Sequence, residues 1–149
     1  LKDRDKIWEG EVMNTQKNVL LIEVSKYCYP AISKKYIDFK AEKTYKAMQE
    51  LIKCDTITSA TCMGSEALME KNISMIGDDE ALFVENPIFN SIASLLGGYL
   101  DHEQALFGNF LVVKHTEDGE YADLSDDEMS LVKSEVKRLI NRIRKERQQ

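Results

Sequence analysis

Short apolar runs broken by polar turns dominate the first two thirds of this chain, and a long amphipathic stripe dominates the last third. Asn18 to Val24 (NVLLIEV) is continuous and β-branched enough to predict a buried strand. Lys26 to Pro30 reads as a turn, because proline cannot donate to a central ladder, so the alternating Tyr36 to Phe39 is expected to be the second strand of an antiparallel pair. Helical spacing follows, with Tyr45, Met48, Leu51 and Ile52 on one face of a helix over residues 42–53. The threonine-rich Asp55 to Met63 predicts a strand. Gly64 to Lys71 reads as a connection, with one helical turn as the alternative. Ile73 to Ile76 predicts another strand, ending at the turn Gly77-Asp78-Asp79.

The next helix is expected over residues 86–97, with Asn86 as N-cap, Pro87 at the first helical position and Gly97-Gly98 as the stop. Leu106 to Lys114 (LFGNFLVVK) is the strongest strand signal, and Gly108 within it suggests a bulge or a close backbone approach. After the turn at 117–120, Ser125 and Glu128 form a capping box that opens a helix over 125–148. Its apolar positions Met129, Val132, Val136, Leu139 and Ile143 make a heptad stripe of two heptads, too short for a coiled coil. The predicted order, β-β-α-β-β-α-β-α, implies an α+β fold. It would have a mostly antiparallel sheet, two packed helices and a C-terminal amphipathic helix. Residues 13–149 read as one domain.

The start of the chain carries a separate signal. Glu9-Gly10-Glu11 back-translates to a purine run like a bacterial ribosome-binding site just ahead of the Met13 codon. Residues 1–12 are therefore expected to be an upstream or non-native extension, with residues added for expression as the competing explanation.

Charge sharpens the picture of the final helix. Glu117 to Glu128 holds seven acids, whereas Lys133 to Gln149 holds seven bases against Glu135 and Glu146. With a net charge of −6 overall and +5 on that tail, residues 1–132 carry −11. The acidic root suits the helix N-terminus and the basic tip its C-terminus. Lys137, Arg138, Arg142, Arg144 and Lys145 are candidates for contact with phosphates or an acidic partner. No aromatic residue follows Tyr121, so stacking on bases from this helix is unavailable.

Catalytic templates are absent. There is no glycine-rich phosphate loop, HExxH helix or GxSxG elbow, and no cofactor motif. His102, in Asp101-His102-Glu103, has no nucleophile at a recognisable spacing. Cys28, Cys54 and Cys62 form no CxxC pair, which fits a reducing cytosol and buried thiols. With two histidines in all, no metal site is expected; Gly77-Asp78-Asp79-Glu80 could hold a hard cation, though a charged turn explains it as well. No apolar run approaches the roughly 18 residues of a membrane span.

Five pieces in order, from Asn18 to Met129, resemble a family of small proteins encoded by phages, plasmids and integrated elements of bacteria. They are Tyr45 to Asp55, the acidic turn Asp78 to Leu82, Asn86-Pro87-Ile88-Phe89-Asn90, the glycine-led strand Leu106 to Val113, and Asp118-Gly119-Glu120 leading to Leu124-Ser125-Asp126-Asp127-Glu128. The family is catalogued as domain of unknown function three-eight-four-six. This chain departs from it in having no clear glycine after the acidic turn, and in its long basic tail. The resemblance implies a mobile-element origin and no particular activity.

Residues and resemblance together lead to one expectation: a non-enzymatic accessory protein in the cytoplasm of a bacterial host, which binds a host or phage macromolecule. In one version an acidic surface mimics nucleic acid and occupies a partner protein. A second reading is a small-ligand or nucleotide-binding module around Asp78, Asp79, Asn86, Asn90 and Gly108. A third is nucleic-acid contact through the C-terminal tail.

Overall fold

A central strand buried on both sides organises the molecule. Phe110, Leu111, Val112 and Val113 are all buried, and alternate residues serve two separate cores. The computed structural model describes residues 16–40 and 42–148, without the side chain of Cys28. The expectation for residues 1–12 and a start at Met13 falls outside the described residues.

The strands are β1 (Val19–Ser25), β2 (Cys28–Lys35), β3 (Ile57–Thr61), β4 (Ile73–Asp78), β5 (Phe110–His115) and the short β6 (Tyr121–Ala122). They form one sheet in the order β2-β1-β5-β4-β3, with β6 added to β5. Every pairing is antiparallel. The helices are α1 (Thr44–Ile52), α2 (Glu66–Glu70), α3 (Ser91–Leu96), α4 (Tyr99–His102) and α5 (Asp126–Arg147). This is an α+β fold with a mostly antiparallel sheet and a long C-terminal helix, as the sequence implied.

Helices cover both faces of the sheet. On one, Leu20, Ile22, Met75 and Val112 pack with Leu68 of α2, Ala93 and Leu96 of α3, and Met129, Val132, Val136 and Leu139 of α5. On the other, Val19, Leu21, Ile76, Leu111 and Val113 pack with Met48 and Ile52 of α1. Burying each such side chain is worth about 1.5–3 kcal/mol, so double coverage of β1 and β5 fixes their register. A slip of one residue would exchange the two cores.

Several boundaries differ from the sequence reading. The second strand is Cys28–Lys35, not Tyr36 to Phe39, and it contains Pro30. Because β2 is an edge strand, with an irregular register near Glu23 and Ser25, a residue without an amide proton costs no central ladder bond. The segment after it is pinned instead by Asn18. That buried amide donates to the Ile37 carbonyl (2.6 Å) and to Asp123 Oδ1 (2.9 Å), and accepts the Ile37 N–H (2.9 Å).

The helix expected over 86–97 is only Ser91–Leu96, capped by Asn90 and not by Asn86; α4 then follows as a separate turn. The expected connection at 64–71 contains α2, capped by Ser65, whose side chain accepts the Leu68 N–H. β4 runs on through Gly77 and Asp78, where the sequence suggested a turn. A Cβ at Gly77 would lie 2.4 Å from the Phe110 ring, so glycine here makes room for packing. β5 begins at Phe110, four residues later than expected, because the Leu106–Asn109 segment bonds to α3 and its approach. Ser94 Oγ accepts the Leu106 N–H (2.8 Å), and Gly108 N–H donates to the Ile88 carbonyl (2.8 Å).

Candidate functional site

The antiparallel order brings the end of β1, the start of β5, the end of β4 and the C-terminus of α1 to one edge of the sheet. Asn109 ties three of them together. Its Oδ1 accepts the Val24 N–H (2.9 Å) and its Nδ2 donates to the Ile52 carbonyl (3.1 Å). One amide thus serves an unpaired strand donor and a helix-terminal acceptor, both of which burial would otherwise penalise. The sequence reading did not single it out; asparagine beside Gly108 at a strand start was the available signal.

The connection from β4 to α3 hangs over this edge. Asp78 Oδ1 accepts the Glu80 N–H (2.9 Å), the Asp79 N–H donates to the Thr56 carbonyl (3.2 Å), and Thr56 Oγ1 donates to Glu80 Oε1 (3.3 Å). A single 3-10 turn, Ala81–Phe83, follows. So short a turn, anchored by acids, leaves its apolar side chains outside either core. Leu82, Phe83 and Val84 are 64%, 84% and 50% exposed. At the same end of the sheet, the β1–β2 hairpin exposes Tyr27 and Tyr29 at 88% and 93%.

Two adjoining cavities open here. The larger, about 460 Å³, lies between α1 and the turn and includes Glu50, Asp55, Asp78, Glu80, Phe83 and Lys46 in its lining. The smaller, about 170 Å³, is lined by Val24, Ile52, Asp78, Asn86, Gly108 and Asn109, among others. Lys53, Asp78 and Val84 belong to both. Of the five residues proposed from sequence, the structure therefore brings Asp78, Asn86 and Gly108 together. Asp79 is exposed beside them. Asn90 is fully buried and does not line the cavity: its Nδ2 donates to the carbonyls of Ile22 (3.2 Å) and Gly108 (2.8 Å), and its Oδ1 caps α3 through the Ala93 N–H (3.0 Å).

Cys54, on the cavity wall, is held as a neutral thiol. Burial first, and then the charges of Asp78 and Asp55, push it up to about 11 against a hydrogen bond from the Thr56 backbone that acts the other way. Burial alone pushes Cys62 up to about 12. Neither is a thiolate nucleophile near neutral pH. Among the described residues, no three His, Cys, Asp or Glu side chains are grouped to hold a metal ion, and no helix is long and apolar enough to cross a membrane.

The basic residues of α5 divide into two sets. Arg142 makes a bidentate pair with Asp101 of α4 (2.7 and 3.0 Å) and also reaches Glu146 (3.2 Å). Those carboxylates raise the Arg142 pKa still further, and the guanidinium in turn holds Asp101 below the usual carboxylate range. Arg138 donates to Glu135 (3.0 Å) and to the Gly64 carbonyl (3.1 Å), while Ser65 Oγ donates to Glu135 Oε1 (2.5 Å). Lys137, Arg144 and Lys145 are exposed, without an ion-pair partner among the described residues.

The fold and this edge define a small α+β protein with a sheet sandwiched between helices and an open, acid-lined surface at one end. A family model described as Domain of unknown function (DUF3846) matches residues 16–137, and the chain belongs to that family. No curated protein and no solved structure matches the chain.

Proposed function

We propose that this chain is a non-enzymatic accessory protein of a phage or mobile element, acting in the bacterial cytoplasm by binding a partner protein through the 78–89 edge. One observation carries this reading: Leu82, Phe83 and Val84 are consecutive and exposed beside an open cavity. An aromatic anchor ringed by polar groups is the usual form of an interaction hot spot. The neighbouring acids Asp78, Asp79, Glu80 and Glu85 favour a partner whose apolar pocket has a basic rim. That arrangement keeps the idea of an acidic surface competing with nucleic acid, but moves its affinity to the apolar tip.

The test compares the full chain with its Leu82→Ala/Phe83→Ala variant as bait in host lysate. A partner retained by the wild type and lost by an equally folded variant supports the proposal. An identical set of captured proteins overturns it. A small-ligand reading has its own support in the convergence of Asp78, Asn86 and Gly108 on the smaller cavity, and in the size of the adjoining one, about 460 Å³ and shared at Asp78, which is within the usual ligand-site range. A thermal-shift panel of nucleotides and metal ions separates the two. A ligand present at about 100-fold over its Kd adds about 2.7 kcal/mol and favours the small-ligand reading.

A further inference from the structure

We infer that the outer face of α5 is a contact surface for the phosphate backbone of duplex nucleic acid. At about 100° per residue, Lys133, Lys137, Asn141, Arg144 and Lys145 fall within an arc of about 120° whose centre is turned about 140° from that of the buried Met129–Val132–Val136–Leu139 stripe. All five are exposed. From Lys133 to Lys145 the face runs about 18 Å.

The pairing pattern is what separates this face from an ordinary charged helix end. Beyond Lys133 the only acids are Glu135 and Glu146, and both are engaged by Arg138 and Arg142 on the flank facing α2 and α4. Lys133, Lys137, Arg144 and Lys145 have no side-chain partner among the described residues. The helix thus uses two arginines to attach itself and leaves four cations in a row directed at solvent. Asp126 and Asp127 sit about 9 Å or more farther along the axis. Arg144 and Lys145 also lie beyond Lys137, where the family match ends.

Charge complementarity calls for a polyanion. The absence of aromatic residues along the helix removes base stacking, which favours a duplex backbone over single strands. Four neutralised phosphates give a log–log salt slope of about −0.9 per contact, so affinity should fall on the order of 100-fold between roughly 50 and 200 mM salt. The −11 on residues 1–132 opposes the contact, which places the measurement at the low-salt end.

The experiment is fluorescence anisotropy of the full chain with a labelled duplex of about 20 base pairs over that salt range. The Lys133→Ala/Lys137→Ala/Arg144→Ala/Lys145→Ala variant should bind at least about 10-fold more weakly and lose most of the salt slope. Lys133→Arg/Lys137→Arg/Lys145→Arg should bind like wild type, which separates charge from folding. Leu82→Ala/Phe83→Ala should also bind like wild type, so this result stands or falls apart from the partner-protein proposal. Undetectable duplex binding at the lowest salt, or equal binding by the quadruple alanine variant, overturns the inference. Displacement of the duplex by an equimolar polyglutamate peptide also overturns it, and assigns the face to an acidic protein.

Discussion

The connection from β4 to α3 and the outer turns of α5 both concentrate polar side chains, yet they divide them in opposite ways. In the connection, several polar groups are spent inside the fold: Asp78 on the Glu80 amide, Glu80 on the Thr56 hydroxyl, Asn90 on three backbone partners at once. What remains free there, beside the exposed acids Asp79 and Glu85, is apolar, Leu82 to Val84. In α5 the apolar groups are spent on the core, and what remains free is cationic. A residue type therefore signals function only after local backbone demand has been subtracted. The same asparagine or arginine is structural where a carbonyl or carboxylate waits within reach, and available where none does.

The largest test of this division contrasts two asparagines four positions apart. Asn90→Ala removes a helix cap and strips a donor from two carbonyls around a buried site, and should cost roughly 2–4 kcal/mol in urea unfolding. Asn86→Ala, at an exposed position, should stay within about 0.5 kcal/mol. If the two variants prove equally stable, Asn90 is not the anchor described above.

That contrast also shows how far the sequence could be read. α5 was legible because its start is a local code, Ser125 and Glu128 exchanging hydrogen bonds, and its buried stripe repeats at helical spacing. β1 and β5 were legible because both faces of each are buried, giving unbroken apolar runs. The start of α3 was misread because Asn86-Pro87 has the stronger local signal. Asn90 prevails through the carbonyls of Ile22 and Gly108, which lie 68 and 18 residues away in sequence. β2 was misread because proline forbids only a central position, and which strand is central is a property of the whole sheet. The candidate site was half legible. Asp78 and Gly108 stand beside obvious turns, but Leu82-Phe83-Val84 looks like core until the brevity of its 3-10 turn is known.

Acid should next loosen the attachments of α5 selectively. Burial of Glu128 raises its pKa, but the Ser125 amide and Lys114 (2.9 Å) more than reverse this and leave it below 4.5; Arg138, opposed by burial and joined by Ser65, lowers Glu135 likewise. Groups lowered in the native state contribute stability that is complete above the ordinary glutamate value of 4.5. That stability is lost as pH falls through the native values, because the unfolded chain there binds more protons. The urea midpoint should therefore drop below about pH 4.5, and the drop should shrink in Glu128→Gln/Glu135→Gln. An unchanged acid limb in that variant would show that these two carboxylates do not control the attachment.

The smallest effect is the sharpest on the question of tied against free cations. Arg142 and Lys145 lie three residues apart on one helix, carry the same charge and are both in reach of solvent, but among the described residues only Arg142 has a carboxylate partner. Arg142→Ala should lower the thermal midpoint slightly at low salt. The difference should narrow near 1 M salt, where the screening length falls to about 3 Å. Lys145→Ala should leave the midpoint in place and weaken duplex binding, because its charge has no ion-pair partner among the described residues. The two substitutions thus act on different observables. Were Lys145→Ala to destabilise as much as Arg142→Ala, the outer face of α5 would be part of the folding electrostatics and not a surface held in reserve for a partner.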